Sequence, residues 1–439
     1  MGKIAKRITA EEAARLVQPG DVLDYGITFN QPDAFDRALA ARKAALRDIT
    51  IRNCLSMRPR AVLEADPEGA VFRCFNWHFS GYDRRKHDAG LCHYIPCNLG
   101  EIPDYYRRFI DRVDIAIIKA APMDADGCFN IGPTSLWHRA VLERARVVVV
   151  EETPSLPRVF GSDNRIPSSD VDFVIPGDDT PTPELPGTVP TEVDRAVARL
   201  IAQEVEDGAC LQIGIGGMPN AVCSLLLEAG VRNLGIHSEM LNDGLVDLYR
   251  AGLVTGAAKV TDPGRIAYSF ALGTRALYDT VTENPDFVCH PVDTTNMPDV
   301  IARNPRAIAI NNTTQIDLQG QASSESDGHR HISGTGGQLQ FVRGAYASPG
   351  GKSFICLAST YEKRGERRSR IVLDLTAGNV VTTPRSDMMY VVTEYGIANL
   401  KGRSVAERAR AIIGLAHPDY REGLEREARA KGLLPKGFT

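Results

Sequence analysis

Glu239 is an acidic residue in a segment whose pattern could support nucleophilic or acid–base chemistry. It follows residues 234–237, which predict a buried strand and would place the acid at the end of that strand. Upstream, residues 211–213 predict another strand, which runs into a turn with three glycines. Glycines let the backbone turn tightly and present N–H groups to an anion. A carboxylate beside such donors can act as a general base or as a covalent nucleophile.

The glycine turn comprises Gly214, Ile215, Gly216, Gly217, Met218, Pro219 and Asn220. It leads into a helix predicted over residues 220–227, which Gly230 would end as a C-cap. The turn lacks the third glycine of a dinucleotide-binding fingerprint and has a proline inside the span, which disfavours a nicotinamide cofactor. In open α/β sheets ligands bind at the carboxyl ends of strands, so we expect this turn and Glu239 to face one crevice. A packing turn without a ligand is the alternative.

Two further segments could contact an anionic substrate. In the second glycine cluster, residues 333–337, the N–H groups could face a developing oxyanion. The charged run 361–370 could hold phosphates, and Lys363 lies nearest the end of the preceding apolar strand. A surface loop is the alternative for each segment.

Metal binding is not predicted. Cys92 and Cys97 lie near one histidine, but none of the candidate histidines has the spacing of a zinc site. Structural or surface roles are therefore expected for these histidines, which are His78, His87, His93, His329 and His331. The nine cysteines are scattered as single residues, so we expect them to be reduced and mostly structural.

Composition and length restrict the class of protein. A chain of 439 residues is long enough for two domains, and a net charge of −4 argues against nucleic acid or a membrane surface as the main partner. The first residues lack the apolar core of a signal peptide, and no stretch of about 18 apolar residues occurs. We therefore expect a cytoplasmic protein.

The elements that must position these residues form a weak internal repeat. A capping box starts a helix at Thr9 and a similar pattern starts one at Thr191, and the spacing from Gly20 to Gly26 equals that from Gly208 to Gly214. Strands alternating with helices predict an α/β fold of two related open, mainly parallel sheets. In the first copy, residues 54–57 stand where the second has Glu239.

The domain boundaries follow from the proline-rich stretch between the two copies. We expect an N-terminal domain over residues 1–178, a linker over 179–192, and a C-terminal domain over 193–439 that carries Glu239.

Taken together, the motifs GIGGMPNAV, GIHSEMLNDG, SGTGGQLQFVRGA, TTPR and VVTEYGIANLKGRS are similar to those of one family. The chain resembles the acetyl-CoA hydrolase/transferase branch of the class I coenzyme A transferases, especially the 4-hydroxybutyrate and butyryl-CoA:acetate CoA-transferases. The resemblance covers nearly the whole chain, and NWHFSGYDRRKHDAGLCHYIP is similar to the butyryl-transferase side of the family.

The resemblance implies a ping-pong transfer of CoA between short-chain carboxylic acids, in which Glu239 forms a mixed anhydride and then a glutamyl-CoA thioester. It implies no tightly bound cofactor, with CoA and acyl-CoA as substrates, and a homodimer or homotetramer. The family's CoA contacts fall on Gly214, Ile215, Gly216, Gly217, Met218, Pro219, Asn220, Ser333, Gly336, Gly337 and Lys363.

Three points stay open at the level of sequence. The chain departs from the family near residues 151–154, which leaves the acyl pocket undefined, although residues around Phe29, Gln31, Trp77 and His78 are candidates. An acyl-CoA hydrolase that uses the same glutamate is one alternative function. A non-catalytic CoA-binding protein is another, but ligand binding alone needs no positioned carboxylate.

Overall fold

A computed structural model describes residues 5–435 of the chain. The N-terminal segment for which the sequence predicts no signal peptide includes residues 1–4, which lie outside the described part. Backbone proximity divides the chain into two compact units. Unit 1 contains the residues up to Leu185 together with 267–295 and 331–336, and unit 2 contains 186–266, 296–330 and the residues from Gly337 onward.

The chain first passes from unit 1 to unit 2 between Leu185 and Pro186. This point lies within residues 179–192, which the sequence predicts to be a linker. Unit 2 differs from the proposed second domain, because residues 267–295 and 331–336 pack with unit 1. The domain boundaries drawn from the sequence stay a prediction.

The first 185 residues alternate between strands and helices. The strands are β1 (Lys6–Arg7), β2 (Val22–Ile27), β3 (Ile49–Cys54), β4 (Phe72–Asn76), β5 (Cys92–Tyr94), β6 (Val113–Ala120), β7 (Cys128–Asn130), β8 (Ala145–Glu152), β9 (Arg165–Pro167) and β10 (Phe173–Pro176). The α-helices are α1 (Ala10–Ala14), α2 (Ala34–Ala40), α3 (Ala61–Ala65), α4 (Gly81–Asp88), α5 (Ile102–Arg108) and α6 (His138–Arg144). Side-chain capping boxes start α1 at Thr9 and α4 at Ser80.

Eight of these strands form one sheet in the order β1-β10-β8-β6-β2-β3-β4-β5. Its neighbouring strands are parallel, with Leu23 paired to Ile51 on one side and to Ile115 on the other. All eight residues of β6 are buried, as expected for a central strand of a parallel sheet covered on both faces.

The rest of the chain repeats the alternation. The strands are β11 (Cys210–Ile213), β12 (Gly235–Leu241), β13 (Ile266–Ala271), β14 (Phe287–Cys289), β15 (Ala307–Asn312), β16 (Gln315–Asp317), β17 (Ala322–Ser323), β18 (Ser326–Asp327), β19 (Arg330–His331), β20 (Lys352–Cys356), β21 (Thr360–Lys363), β22 (Glu366–Ser369), β23 (Ile371–Val372), β24 (Tyr390–Thr393) and β25 (Gly396–Asn399). The α-helices are α7 (Glu192–Ala202), α8 (Gly217–Ala229), α9 (Asp243–Arg250), α10 (Arg275–Val281), α11 (Val292–Thr295), α12 (Pro298–Ala302), α13 (Gln338–Ala347), α14 (Val405–Leu415) and α15 (Pro418–Ala430).

Within unit 2, six strands pair in the order β12-β11-β15-β20-β24-β25. Every neighbouring pair is parallel except β24 with β25. In this sheet β11 lies between β12 and β15, just as β2 lies between β3 and β6 in unit 1. The expected fold class, two related open and mainly parallel sheets, is confirmed by this arrangement.

Candidate active site

Glu239 occupies the fifth position of β12, a parallel neighbour of β11. The other six residues of the strand are buried, whereas Glu239 is half-buried. The strand therefore extends beyond residues 234–237, and the acid lies inside it rather than after its end. A strand holds its backbone in the ladder, so the direction of this carboxylate is set by the pleat and not by a flexible loop.

One side chain and one backbone segment meet the carboxylate. The Asn296 side-chain amide donates a hydrogen bond to Glu239 Oε2. Gly337 lies so close that a Cβ atom there would overlap both the carboxylate and the Asn296 amide. Only glycine therefore leaves room for this approach of the backbone to the acid.

Gly337 is also the N-cap of α13, and its carbonyl oxygen accepts the N–H of Phe341. The first N–H groups of a helix have no partner inside the helix, and they give its N-terminus a partial positive charge. A helix N-terminus thus begins beside the glutamate, where negative charge would build up during an attack on a carbonyl group.

The protonation of Glu239 is sensitive to pH near neutrality. Burial raises its pKa from 4.5 to about 7, and the hydrogen bond from Asn296 opposes the rise. No cation contributes to the shift, so desolvation determines its direction. A carboxylate that is poorly solvated when ionised is a better nucleophile or base than an exposed one.

The first glycine turn joins β11 to α8 in unit 2. Gly216 has a φ of 123°, and α8 starts at Gly217, three residues before the predicted start. Asn242 donates to the carbonyl of Gly214 at 3.0 Å and Asn312 donates to that of Ile215 at 3.4 Å. Gly230 adopts the left-handed conformation after α8, which confirms the predicted C-cap.

The side chains in this turn point in different directions. Ile215 is half-exposed, whereas Met218 and Pro219 are buried. The Asn220 amide donates to the carbonyl of Thr188 at 3.1 Å. A ligand at this turn would therefore meet backbone groups and Ile215 rather than the side chains of Met218 and Pro219.

The second glycine cluster is divided between the units. Ser333 and Gly336 belong to unit 1, where their carbonyl oxygens accept the N–H groups of Phe79 and Leu99. Gly337, the next residue, belongs to unit 2 and contacts Glu239. Of these three predicted CoA contacts, Gly337 is therefore the one that meets the acid.

The charged run 361–370 forms most of a β-hairpin. β21 and β22 pair as antiparallel strands, with Lys363 opposite Glu366. The ammonium of Lys363 lies 3.4 Å from the Asp327 carboxylate, and its side chain is 45% exposed. A role of Lys363 in binding phosphates stays a prediction.

The candidate acyl-pocket residues are part of unit 1. The Gln31 amide donates to the carbonyl of Cys54 at 2.8 Å, and the Phe29 ring packs edge-on against Tyr278. Trp77 is buried, and burial lowers the pKa of His78 to about 4, with a smaller contribution from the Arg84 charge. His78 is therefore a neutral imidazole at neutral pH.

Residues 151–154, where the chain departs from the family pattern, include a structural carboxylate. Glu151 is buried and accepts the N–H groups of Asp33, Ala34 and Phe35 at 2.9, 3.2 and 3.0 Å, at the start of α2. Lys119 Nζ lies 3.9 Å from this carboxylate. Glu151 thus satisfies a helix N-terminus and is not available as a pocket acid.

Sequence reasoning missed Asn296, the partner of the glutamate. It lies between α11 and α12, in a stretch without periodicity or motif, and is completely buried. Its separation of 57 residues from Glu239 gives no local signal, so only the folded chain reveals the pair.

Neither a metal cluster nor a membrane-crossing helix was found in residues 5–435. These residues contain no group of three or more histidine, cysteine, aspartate or glutamate side chains suited to hold a metal ion. None of their helices has both the length and the apolar character needed to cross a bilayer.

Two family models match the chain. Residues 4–186 match the acetyl-CoA hydrolase/transferase N-terminal domain, and residues 273–428 match the corresponding C-terminal domain.

Individual relatives agree with the family models. The chain is 44% identical over 423 residues to a butyryl-CoA:acetate CoA-transferase of Anaerostipes caccae, which covers 96% of this chain and 95% of the relative. It is 37% identical over 428 residues to a 4-hydroxybutyrate coenzyme A transferase of Clostridium kluyveri, with 97% and 98% covered. A solved 4-hydroxybutyrate CoA-transferase of Porphyromonas gingivalis has a TM-score of 0.78 at 31% identity, covering 97% of this chain and 98% of that one.

Proposed function

This chain belongs to the acetyl-CoA hydrolase/transferase family and is an enzyme that transfers CoA, and we propose that Glu239 is its covalent nucleophile. In this proposal the enzyme moves CoA between short-chain carboxylic acids by a ping-pong mechanism. The observation that carries the proposal is the carboxylate of Glu239, held between the Asn296 amide and the backbone of Gly337.

The first half-reaction transfers CoA from the acyl group to the glutamate. The Glu239 carboxylate attacks the thioester carbonyl of acyl-CoA, the C–S bond breaks, and an acyl-glutamyl anhydride forms with release of the CoA thiolate. The thiolate then attacks the glutamyl carbonyl carbon, which releases the acyl group as a free carboxylate and leaves a glutamyl-CoA thioester. An incoming carboxylate reverses both steps and leaves as the new acyl-CoA.

The surroundings of Glu239 suit the charge that develops in these steps. When the thiolate attacks the glutamyl carbon, negative charge builds up on a carboxyl oxygen, and the Asn296 amide already donates to Oε2. A donor that is in place before the reaction stabilises an oxyanion without reorganisation. N–H groups at the start of α13 are candidates for the oxyanion of the attacked thioester.

Binding of the CoA portion belongs to the same proposal. Backbone groups of the turn 214–220, together with Ser333, Gly336 and Gly337, would contact CoA, and Lys363 would reach its phosphates. Binding energy from this large and unreactive portion can be used to align the thioester with the acid. The substrate class is proposed from the relatives, two of which are named for short-chain acids.

The steps above require no metal and no resident cofactor, so none is proposed. The cytoplasmic location and the homodimeric or homotetrameric assembly that the sequence predicts also belong to the proposal.

The proposal is tested by the covalent intermediate. Wild-type protein mixed with butyryl-CoA without an acceptor should gain the mass of CoA minus water on a peptide that contains Glu239. Glu239→Gln should gain nothing, and Glu228→Gln, which changes an exposed glutamate on α8, should behave like the wild type. Absence of the adduct, or its presence on another residue, would contradict the nucleophilic role.

A second measurement with the same protein and butyryl-CoA distinguishes transfer from hydrolysis. Release of free CoA is measured with and without acetate as the acceptor. A transferase forms acetyl-CoA when acetate is present and releases little CoA in its absence. Release of CoA at an equal rate in both conditions would favour an acyl-CoA hydrolase that uses the same residue.

A further inference from the structure

Two helices of unit 2 begin beside Glu239. Asn296, whose amide donates to the carboxylate, lies two residues before α12, and Gly337, whose backbone touches the carboxylate, lies directly before α13. The acid, both of these residues and both helices belong to unit 2. The spacing of α12 and α13 therefore determines whether the amide and the backbone can meet the acid at the same time.

The two helices pack against each other at Gly344, in the interior of α13. A Cβ atom at Gly344 would lie 2.5 Å from Ile301 Cβ and 2.6 Å from Ile301 Cγ2, on α12. Glycine inside a helix is destabilising relative to alanine, so a glycine at this position requires a reason in packing. The close approach to Ile301 supplies that reason, because any larger residue would push the helices apart.

Further contacts hold the same pair of helices. The hydroxyl of Ser348, which follows α13, donates to the carbonyl of Asn304, two residues after α12, at 2.7 Å. The same hydroxyl accepts the N–H of Ala307 at the start of β15 at 3.1 Å. Ile301 of α12 and Phe341 of α13 pack with Ala307 in one buried cluster. The pair is thus linked beyond its C-terminal ends and fixed to the sheet, so a change of spacing at its middle displaces its N-terminal ends.

We propose that Gly344 is a positioning residue for CoA transfer, which lets α13 approach α12 so that the Asn296 amide and the Gly337 backbone meet one carboxylate. The inference rests on the proposed reactive role of Glu239. Gly344 lies seven residues after Gly337, about 10 Å along a helix, so it acts through α13 and does not touch the acid.

The size of the expected displacement follows from ordinary contact distances. Non-bonded carbon atoms lie about 3.5–4.0 Å apart at their optimum, so a methyl group at Gly344 requires α12 and α13 to separate by about 1 Å. Ile301 Cβ is bonded to the backbone and cannot rotate away, so a helix must move instead. A misplacement of about 1 Å, even when it starts far from the reacting atoms, can lower a rate by about 100-fold.

The test is Gly344→Ala, measured as kcat for transfer from butyryl-CoA to saturating acetate. We expect kcat to fall by about 10- to 100-fold, because the added methyl group separates the helices that carry the two partners of the acid. Circular dichroism checks that the variant is folded. A folded Gly344→Ala variant with the wild-type kcat would overturn the inference.

Gly414→Ala is the matched control in the same unit. Gly414 also lies inside a helix, α14, but among the described residues a Cβ atom there would have no contact within 4 Å apart from its own helix. This substitution should therefore leave kcat at the wild-type value. An equal fall of kcat in Gly414→Ala would overturn the assignment, because loss of any helix glycine would then have the same effect.

A double-mutant cycle with Asn296→Ala distinguishes positioning from general destabilisation. If Gly344 acts by placing the amide, Gly344→Ala should lower kcat by only about 3-fold or less in protein that already carries Asn296→Ala, because substitutions that act on a shared partner are not additive. A fall by the same factor in both backgrounds would overturn the inference, since the methyl group would then act independently of the amide.

Ile301→Ala keeps the inference testable if Gly344→Ala does not fold. It shortens the side chain that packs on Gly344 without introducing a clash, and the loosened contact should lower kcat by about 3- to 10-fold. The wild-type kcat in Ile301→Ala, or an equal loss with and without the Asn296 amide, would overturn the inference. If wild-type protein forms no adduct on Glu239, the proposed nucleophile fails by itself, while the cycle still tests whether Gly344 acts through Asn296.

Discussion

Glu151 in unit 1 and Glu239 in unit 2 are desolvated carboxylates with different surroundings. Glu151 accepts three backbone N–H groups at the start of α2 and faces the ammonium of Lys119. Glu239 accepts one side-chain amide, from Asn296, among the residues that the structure describes. Burial raises the pKa of both acids, but for Glu151 the Lys119 charge and the three N–H groups oppose the rise.

The difference supports the proposal that Glu151 is a structural acid and Glu239 a reactive one. Three N–H donors stabilise the ionised carboxylate of Glu151 in its ground state and thereby lower its reactivity towards an electrophile. Among the described residues only Asn296 donates to Glu239, the pKa of this acid is raised to about 7, and a glycine backbone lies beside it, so we expect its carboxylate to be available to an electrophile. Three substitutions test this contrast, from the largest expected effect to the smallest, and a pH titration tests its electrostatic cause.

Glu239→Gln should lose CoA transfer by about 10³-fold or more, because removal of a covalent nucleophile leaves only binding and oxyanion stabilisation. The side chain keeps its size, so the variant should fold. Steady-state kcat for butyryl-CoA and acetate measures the effect, and circular dichroism checks the fold. If Glu239→Gln retained more than a tenth of the activity, Glu239 would not be the nucleophile, and its proposed difference from Glu151 would be lost.

Asn296→Ala should lower kcat by about 10²- to 10³-fold, as removal of a preorganised oxyanion donor does. The loss should be smaller than in Glu239→Gln, because the nucleophile remains. As a control, Asn311→Ala changes an asparagine on β15 that bonds to Gln212 rather than to the acid. If Asn296→Ala alters KM but not kcat, the amide contributes to binding and not to the transition state.

Glu151→Gln should lower the free energy of unfolding by about 1–3 kcal/mol, because its amide group cannot accept the N–H that one carboxylate oxygen now takes. The activity of each folded molecule should change little. Denaturant unfolding measures the loss. The control is Glu152→Gln, where the neighbouring carboxylate forms an ion pair with the exposed Arg7 and should contribute less. Equal losses of unfolding free energy in both variants would mean that the helix cap contributes no more to stability than the ion pair of Glu152.

The pH dependence of stability tests the electrostatic cause of the contrast. In the folded chain the pKa of Glu239 lies at about 7, above its ordinary value of 4.5, so the folded state binds more protons between these values. Stability from this group therefore falls as pH rises from about 4.5 to about 7. The Tm of the wild type should drop relative to that of Glu239→Gln over this range. A constant difference in Tm would show that burial does not shift this acid.

Local patterns were sufficient to predict much of the fold. The capping boxes at Thr9 and Thr191, the apolar runs of the central strands and the glycine after α8 each act within a few residues, so their physical effect is visible in the sequence. Boundaries were less accurate. β12 continues past His237 through Glu239, because the ladder and burial continue where the local pattern becomes polar.

The candidate site was predicted in part. Glu239 and the two glycine clusters carry signals of residue type and spacing, and the resemblance to a family added their roles, which stay predictions. The sequence allows a surface loop for the charged run 361–370, but cross-strand pairing makes most of it a hairpin. Residues 151–154 depart from the family pattern, and the role of Glu151 as a helix cap follows only from its three backbone partners.

By itself the sequence determined the α/β class, the internal repeat and the choice of Glu239 as the candidate acid, because these depend on periodicity, glycine positions and residue type. The tertiary structure decided what surrounds that acid. Asn296 is 57 residues from Glu239, and no local rule connects residues so far apart. Packing of distant segments brings the amide to the acid, and desolvation raises the pKa of the carboxylate while this hydrogen bond opposes the rise.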